Sequence, residues 1–418
     1  MGRRRRSRVG TLGVLIGVVV LIGVGYRLVG GRSRAPVATS TALASLAIPA
    51  IYALPPLPSQ RLRNPQAVAR AMGFLTAMQP SGTYVLSTEG TATVVPMDVA
   101  HAAIAFASGD RLRSAESAMT WLYGQMILPG ASDAIDENGD DFSGSWYDDL
   151  QTNGDPVPGA SRGRGESVGM ALIATDTIER QDPGYLTTRV GDNQIVDLVR
   201  LATEYLSRPT MQAAEGRFYH SPTYRVSFNE ECARMALGLQ LAAQMLREHG
   251  DAVAAQRAAA AAASGMRALD SGASMSQGMA YDYYARSIWG LASPSEAKAE
   301  IARLKATGLV DAGGVRNWDW QLSTAASPLV WLRWWGQAQT VAPSQTFDYA
   351  IASVSAGDTA TALALEQRWL PLQNPAGGFD DGSLFGPFGL RLGFGQPTSY
   401  AAARFILLEH LLTEVLGR

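Results

Sequence analysis

Four acidic sites stand where apolar segments of the chain begin and helices are expected to start. They are Asp98, Glu166, the Glu230-Glu231 pair and Asp282. Acidic side chains at helix N-termini commonly cap free N–H groups and favour the helix dipole, so capping alone explains any one of them. Their shared placement predicts more, because carboxylates from several helices at one end of a ring converge on one cleft. Paired carboxylates in a cleft are what acid/base cleavage of a glycosidic bond requires.

Two loops place aromatic side chains next to acidic ones, a pattern that suits sugar binding. Aromatic faces stack on pyranose rings, and carboxylates accept hydrogen bonds from hydroxyl groups. Core packing explains the two tryptophans of the second loop equally well. The candidate substrate-binding residues of the loops are Trp146, Tyr147 and Asp148 in the first and Trp318, Asp319 and Trp320 in the second.

Other chemistries are poorly supported by the sequence. Residues 165–169 match the G-x-S-x-G pattern of serine hydrolases, but that motif requires a strand-to-helix turn, and no strand pattern precedes it. Residues 136–141 place acidic or amide oxygens at alternate positions, yet the glycine and the final glutamate of a calcium loop are missing. The four histidines are scattered without ligand spacing, and the single cysteine, Cys232, lies in an apolar segment that predicts a buried thiol. We therefore expect neither a metal nor a cofactor.

The elements that must position these residues repeat along the chain from residue 64 onward. Six apolar segments rich in small residues each follow a loop, and amphipathic helical segments lie between them. The apolar segments span residues 99–107, 167–178, 232–245, 283–291, 323–335 and 400–412. Helical hairpins that bury one face against their neighbours form a solenoid or a closed ring. The alternation predicts two layers, with the apolar helices inside and the amphipathic helices facing solvent. The predicted fold is therefore an all-α (α/α)6 toroid of six helical hairpins.

Two motifs resemble family 8 of the glycoside hydrolases. Gly165–Met170 resembles the Ser-Glu-Gly-x-Gly-Tyr-Gly-Met signature of that family, although Ser167 replaces a glycine and the aromatic residue is missing. Tyr281–Trp289 resembles its Tyr-Asp-x-x-Arg segment. The resemblance implies an (α/α)6 fold, Glu166 as the general acid, and Tyr281 and Arg286 beside the substrate. It covers about twenty residues and indicates a six-hairpin glycosidase-like domain rather than membership of the family.

The N-terminus has a different character from the rest of the chain. Residues 1–34 contain eight arginines and no acidic side chain. The whole chain has a net charge of −2, so the remaining residues carry a net charge of −10. An acidic domain of that kind does not suit nucleic acid. The apolar run over residues 10–29 is long enough for one bilayer crossing, and the basic cluster before it predicts a cytoplasmic N-terminus. A cleaved signal peptide is the alternative.

The predicted organisation has three parts, and the leading hypothesis for function follows from the last of them. Residues 1–30 form the basic cluster and transmembrane signal anchor, 31–63 a linker rich in Ser, Thr, Ala and Pro, and 64–418 the extracytoplasmic toroid. The hypothesis is hydrolysis of a polysaccharide or oligosaccharide, with Glu166 as proton donor, Asp282 as base, and Asp98, Glu231 or Asp319 assisting. A polysaccharide lyase and a non-catalytic glycan-binding or scaffold toroid are the alternatives.

Overall fold

The computed structural model describes residues 50–57, 61–271, 280–311, 313–315, 339–385 and 391–417. These residues belong to one compact unit of the chain, 46–418. They contain twelve α-helices: α1 Pro65–Ala77, α2 Pro96–Ser108, α3 Leu112–Gly124, α4 Gly165–Glu179, α5 Ile195–Leu206, α6 Asn229–Glu248, α7 Ala252–Asp270, α8 Tyr281–Ile288, α9 Pro294–Thr307, α10 Pro343–Ser355, α11 Thr359–Trp369 and α12 Ser399–Leu416.

The helices form two concentric layers, as the sequence predicts. The inner helices α2, α4, α6, α8, α10 and α12 contact one another in that order, and α12 returns to α2. The outer helices α3, α5, α7, α9, α11 and α1 each pack against an inner helix. The ring is therefore closed, and the predicted (α/α)6 toroid is confirmed for the described part of the chain.

The two layers follow from the residue types. Every residue of α4 from Gly165 to Ile178 is buried, because ring neighbours and an outer helix cover all of its faces. Helix α5 buries only one stripe, which includes Leu198, Val199 and Ala202. The capping box predicted at Ser293 forms, since Ser293 and Glu296 bond reciprocally at the start of α9.

One inner helix differs from the sequence prediction. The fifth inner position is occupied by α10. The apolar pattern instead predicts the fifth inner helix over residues 323–335, which lie outside the described residues. Helix α10 carries Thr346, Asp348 and Tyr349 among its buried residues. These polar groups interrupt the apolar run and explain why the segment was not predicted.

Short antiparallel strands connect the loops that precede the inner helices. Strand β1 (Thr93–Val94) pairs with β2 (Leu150–Gln151), and so joins the loops before α2 and α4. The other described strands are β3 Arg189–Val190, β4 Asn193–Gln194, β5 Val310–Asp311, β6 Gly314–Val315, β7 Gln339–Val341, β8 Asp380–Phe385 and β9 Arg391–Pro397. The pairs are β3–β4 and β5–β6, while β7, β8 and β9 form a three-stranded sheet in that order.

The segment before α1 takes part in the core. Residues Ile51–Ala53 form a 3-10 turn, and the side chains of Ile51, Leu54 and Leu57 are buried. The predicted linker spans residues 31–63, and its described part over residues 50–57 is therefore packed on the toroid. The predicted membrane segment lies outside the described residues. Within the described ranges, no helix has both the length and the apolar character needed to cross a bilayer.

Candidate active site

Charged side chains from the first turns of the inner helices meet at one end of the ring. Arg234, in the second turn of α6, forms ion pairs with Glu166 of α4 and with Glu230 of its own helix. The Glu166 carboxylate also accepts a contact from Arg164, with Nη2 3.0 Å from Oε2. One guanidinium thus holds two buried carboxyl groups from neighbouring helices, and a second guanidinium covers one of them.

Arg234 also binds residues from the last third of the chain, through the same Nη2 that contacts Glu230. Its Nη2 donates to the Tyr400 hydroxyl at 3.1 Å, and that hydroxyl donates to Asp348 Oδ2 at 2.9 Å. Arg404 Nε lies 2.8 Å from Asp348 Oδ1. The Arg404 guanidinium is also stacked over Trp289, 4.6 Å from the ring centroid. These groups link α6, α8, α10 and α12 across the ring.

His101 of α2 completes this charged network as a neutral group. Its Nδ1 donates to the Met97 carbonyl at 2.8 Å, and its ring lies 4.5 Å from that of Tyr400. Burial first, and then the positive charges of Arg404 and Arg234, lower the pKa of His101 well below its ordinary value. Because Nδ1 carries the proton, Nε2 presents a lone pair.

Glu230 lies where negative charges outnumber positive ones. Burial, followed by the negative charge of Asp348, raises the pKa of Glu230 well above its ordinary value, against the attraction of Arg404. Asp282 and Glu231 act in the same direction as Asp348. Glu166 has the opposite surroundings, because guanidinium groups face both of its oxygens and favour the ionised form. The two carboxyl groups around this single arginine therefore have different electrostatic surroundings.

A more open group of side chains lies beside this buried pair. Glu231 Oε1 is 2.9 Å from His220 Nδ1 and 3.7 Å from Arg164 Nη2. Arg164 keeps 31% of its side chain exposed and His220 18%, whereas Glu231 is buried, so the group reaches solvent through Arg164 and His220. Tyr224, which is 54% exposed, stands edge-on to His220 with ring centroids 5.4 Å apart.

The predicted base, Asp282, occupies a capping position. Asn229 is the first residue of α6, and its backbone N–H donates to Asp282 Oδ1 at 2.9 Å. Asp282 and Glu166 are thus both attached to α6, one at its first residue and the other at Arg234. Asp98 stands in the first turn of α2, as predicted, and is half-buried.

Two of the predicted substrate-binding residues have structural roles instead. Trp146 is buried, and its indole nitrogen donates to the Leu122 carbonyl at 2.7 Å, so its ring belongs to the core and is not available for stacking on a sugar. Arg286 pairs with Glu300 at 3.0 Å, with Glu296 at 2.8 Å and with Asp270. Those carboxylates lie on α9 and α7, so Arg286 ties α8 to the outer layer.

The remaining predicted substrate-binding residues keep their candidacy. Tyr147 is half-buried and its hydroxyl donates to Asp133 Oδ2 at 2.9 Å. Asp148 is half-buried; burial raises its pKa, while the nearby charges of Arg164 and His220 oppose the shift. Tyr281 is half-buried in the first turn of α8. Trp318, Asp319 and Trp320 lie outside the described residues.

Sequence reasoning missed five members of the network: Arg234, His101, Asp348, Tyr400 and Arg404. A detectable signal existed, since Arg404 and Asp348 each interrupt an otherwise apolar run, in Ala-Arg-Phe and Phe-Asp-Tyr. Full burial of a charge is costly unless it is paired, so a lone charge in a predicted inner helix indicates a partner on another inner helix. Among the described residues, no group of three or more His, Cys, Asp or Glu side chains is arranged to hold a metal ion.

Comparison with solved structures places the fold among the six-hairpin glycosidases. A wild-type glycosidase superposes with a TM-score of 0.59 at 16% identity, over 85% of this chain and 97% of the other. A glutamate-to-alanine variant of a glycosidase, in complex with glucose, gives 0.60 at 16% identity over the same shares. A bacterial glucoamylase complexed with acarbose gives 0.51 at 14% identity, over 85% of this chain and 57% of the other. No family model and no curated protein matches the sequence. The predicted resemblance to six-hairpin glycosidases is thus confirmed at the level of fold.

Proposed function

We propose that this protein is a glycoside hydrolase that acts on a polysaccharide or oligosaccharide through paired carboxyl groups. The observation that carries the proposal is the Glu230–Arg234–Glu166 arrangement. Glycosidases need a carboxylic acid that keeps its proton and a second carboxylate that stays ionised, and opposed surroundings for two carboxyl groups assign those roles. The glycosidase neighbours, one with bound glucose and one with acarbose, support a carbohydrate ligand for this fold.

In this mechanism Glu230 donates its proton to the glycosidic oxygen as the bond to the leaving sugar breaks. Glu166, kept ionised by Arg164 and Arg234, stabilises the oxocarbenium-like centre and acts as base toward water or as nucleophile. This reverses the role that the sequence suggested for Glu166, because a donor needs a bound proton and two arginines oppose it. Asp282 supports the site as the cap of α6.

The group formed by Glu231, His220 and Arg164 supplies the sugar contacts in this proposal. Glu231 and His220 accept and donate hydrogen bonds to hydroxyl groups, and Asp148 and Tyr147 extend that polar surface. Tyr224 adds an exposed aromatic face. Trp318, Asp319, Trp320, Tyr281 and Asp98 stay candidates for the same surface on the strength of the sequence pattern.

We also propose that the domain acts outside the cytoplasm, held by the apolar segment over residues 10–29. The support is the basic cluster followed by an uncharged span in the sequence. The test is a reporter enzyme that works only outside the cytoplasm. Fused after Arg418, it should be active. Signal from a reporter that works only in the cytoplasm would contradict this topology.

The test of function is an assay of the full chain on a panel of neutral polysaccharides and oligosaccharides, read as release of reducing sugar. Glu230→Gln and Glu166→Gln should each lower kcat at least about 100-fold, the scale of a lost general acid or base. Glu248→Gln, an exposed position at the far end of the same helix, is the matched control and should keep full activity. Wild-type inactivity on every polymer, with binding retained, would favour a glycan-binding toroid. Release of unsaturated products would indicate a lyase.

A further inference from the structure

The hydroxyl of Tyr400 connects the proposed catalytic pair to a buried anion that the proposed reaction does not itself use. Tyr400 OH donates to Asp348 Oδ2 at 2.9 Å and accepts from Arg234 Nη2 at 3.1 Å. Asp348 accepts only, so the hydroxyl proton must point toward it and the oxygen lone pair must face Arg234. The direction of the hydrogen-bond chain from Asp348 to Arg234 is therefore fixed.

We infer that Asp348 and Tyr400 are positioning residues, which orient Arg234 between Glu166 and Glu230 and keep the proton on Glu230. This inference rests on the proposed function for its catalytic meaning, but its electrostatic part concerns the folded protein alone. Asp348 and Tyr400 touch the arginine and not the reacting atoms, so each acts through another residue.

The first argument is geometric. Arg234 is buried, and its side chain reaches Glu166, Glu230 and Tyr400 at once. A buried guanidinium with its nitrogens bound in different directions has one orientation, and hydrogen bonds in such a network strengthen one another. Removal of the Tyr400 hydroxyl takes away one of the three groups that hold Arg234, and leaves its orientation to Glu166 and Glu230 alone.

The second argument is electrostatic, and it depends on every charge around Glu230. The titratable and charged groups that face it are Glu231 and Arg234 on its own helix, Asp282 and Tyr284 on α8, Asp348 on α10, and Tyr400 and Arg404 on α12. Arg404 and Arg234 favour loss of the proton, whereas the three carboxylates oppose it. Among the three carboxylates Asp348 has the largest effect, and it raises the pKa of Glu230.

Asp348 holds its negative charge because Arg404 pairs with it. The two groups are 2.8 Å apart and both are fully buried. Burial raises the pKa of Asp348 above its ordinary value, and Arg404, Arg234 and the Tyr400 hydrogen bond limit that rise by favouring the ionised form. The ion pair therefore keeps a fixed negative charge beside Glu230, where a solvated residue would be screened.

The test uses the full chain with Asp348→Asn and Tyr400→Phe. Asp348→Asn removes the charge, so Glu230 should lose its proton at lower pH, and the alkaline limb of kcat/KM should move down by about one pH unit. Tyr400→Phe keeps the charge but removes the hydroxyl that helps to orient Arg234, so kcat should fall about tenfold while KM stays within about twofold, as for an interaction that acts on the transition state. A purely structural role would lower the amount of folded protein without moving the pH profile.

The matched controls are buried groups of the same kind outside the site. Tyr123 donates or accepts at Thr175 Oγ1 at 2.8 Å, and Asp176 pairs with Arg180 at 2.6 Å. Tyr123→Phe and Asp176→Asn should leave both the pH profile and kcat unchanged. An equal kcat loss in Tyr123→Phe would overturn the positioning role of Tyr400.

A readout that needs no substrate separates this inference from the proposed function. The carboxyl of Glu230, assigned by comparison with Glu230→Gln, can be titrated by infrared difference spectroscopy in the wild type and in Asp348→Asn. A shift to lower pH in the variant supports the inference even if no polymer is cleaved, in which case only the proposed function fails. An unmoved titration in a folded Asp348→Asn protein overturns it. If Asp348→Asn does not fold because Arg404 is left unpaired, Tyr400→Phe decides: unchanged kcat and unchanged titration overturn the inference.

Discussion

At the residue scale, a second pair of buried carboxyl groups lies away from the candidate site. Asn64 Nδ2 donates to Glu366 Oε1 at 2.6 Å and to Glu409 Oε1 at 2.8 Å, and both glutamates are fully buried. Arg63 stands 3.5 Å from the other oxygen of Glu366. Burial, and then the hydrogen bond and charge of Glu366, raise the pKa of Glu409 to about 9. Glu409 therefore keeps its proton at neutral pH.

This pair predicts a pH-dependent stability that Glu409→Gln should remove. A carboxyl group whose pKa is higher in the folded than in the unfolded chain costs stability as pH rises from its unfolded value, 4.5, to its folded value, about 9. The wild type should lose stability over that window, and Glu409→Gln should lose less, because an amide can donate to Glu366 without ionising. Melting temperatures measured from pH 5 to 9 test this, with exposed Glu248→Gln as control. Parallel curves for the two proteins would show that the pKa of Glu409 is not raised in the folded protein.

Single residues also show which parts of the candidate site could be predicted from the sequence. Glu166, Glu231 and Asp282 were identifiable because an acidic residue that opens an apolar helix is visible in the sequence. Their roles were not, since these depend on Arg234, which lies in an ordinary-looking helix turn. Trp146 and Arg286 were assigned to substrate, but burial and ion pairing of a loop or helix-end residue are set by elements distant in the chain.

At the element scale, two inner helices touch through glycine. A Cβ atom on Gly169 of α4 would lie 2.8 Å from the Arg234 carbonyl oxygen, and one on Gly238 of α6 would lie 2.5 Å from the Gly169 carbonyl oxygen. Both obstacles are backbone atoms, so the helices cannot yield by turning a side chain. The close approach of α4 and α6 is what brings Glu166 within reach of Arg234.

Alanine at either glycine should therefore separate α4 from α6. We expect Gly169→Ala and Gly238→Ala each to lower the free energy of unfolding by about 1–3 kcal/mol, the range for overpacking a core. Gly73→Ala, at an exposed site of α1 with nothing within 4 Å, is the control and should stabilise by about 0.5–1 kcal/mol. Denaturant unfolding measures all three. Neutral effects at Gly169 and Gly238 would mean that the two helices are not in backbone contact.

The arrangement of elements was more predictable than their exact order. Apolar helices alternating with amphipathic ones indicate two layers because burial on all faces and burial on one face leave different patterns. The fifth inner helix was missed for the same reason that Asp348 was missed. Helix α10 carries the buried acid of the network, and a helix that holds a buried charge departs from the apolar pattern by which inner helices are recognised.

At the scale of the whole molecule, contacts between the two ends of the described chain close the ring. Asn64, which precedes α1, binds Glu409 of α12, and Gln373 Nε2 donates to the Ala67 carbonyl at 2.9 Å. Ser399 at the start of α12 donates its backbone N–H to the Ser87 carbonyl at 3.0 Å. Every inner helix therefore has two ring neighbours, which the end repeats of an open solenoid lack.

A closed ring predicts that damage at one place destabilises the entire toroid. In an open solenoid the repeats unfold from the ends, and a local substitution changes only the stability of its own region. Here Asn64→Ala, at the closing contact, and Gly238→Ala, at the α4–α6 contact, should both shift one common transition. Tryptophan fluorescence and far-ultraviolet circular dichroism should give coincident curves for the wild type and both variants, which is the test of two-state unfolding. A separate early transition in Asn64→Ala, with the rest of the curve unchanged, would show that α1 and α12 open independently and that the ring is not a cooperative unit.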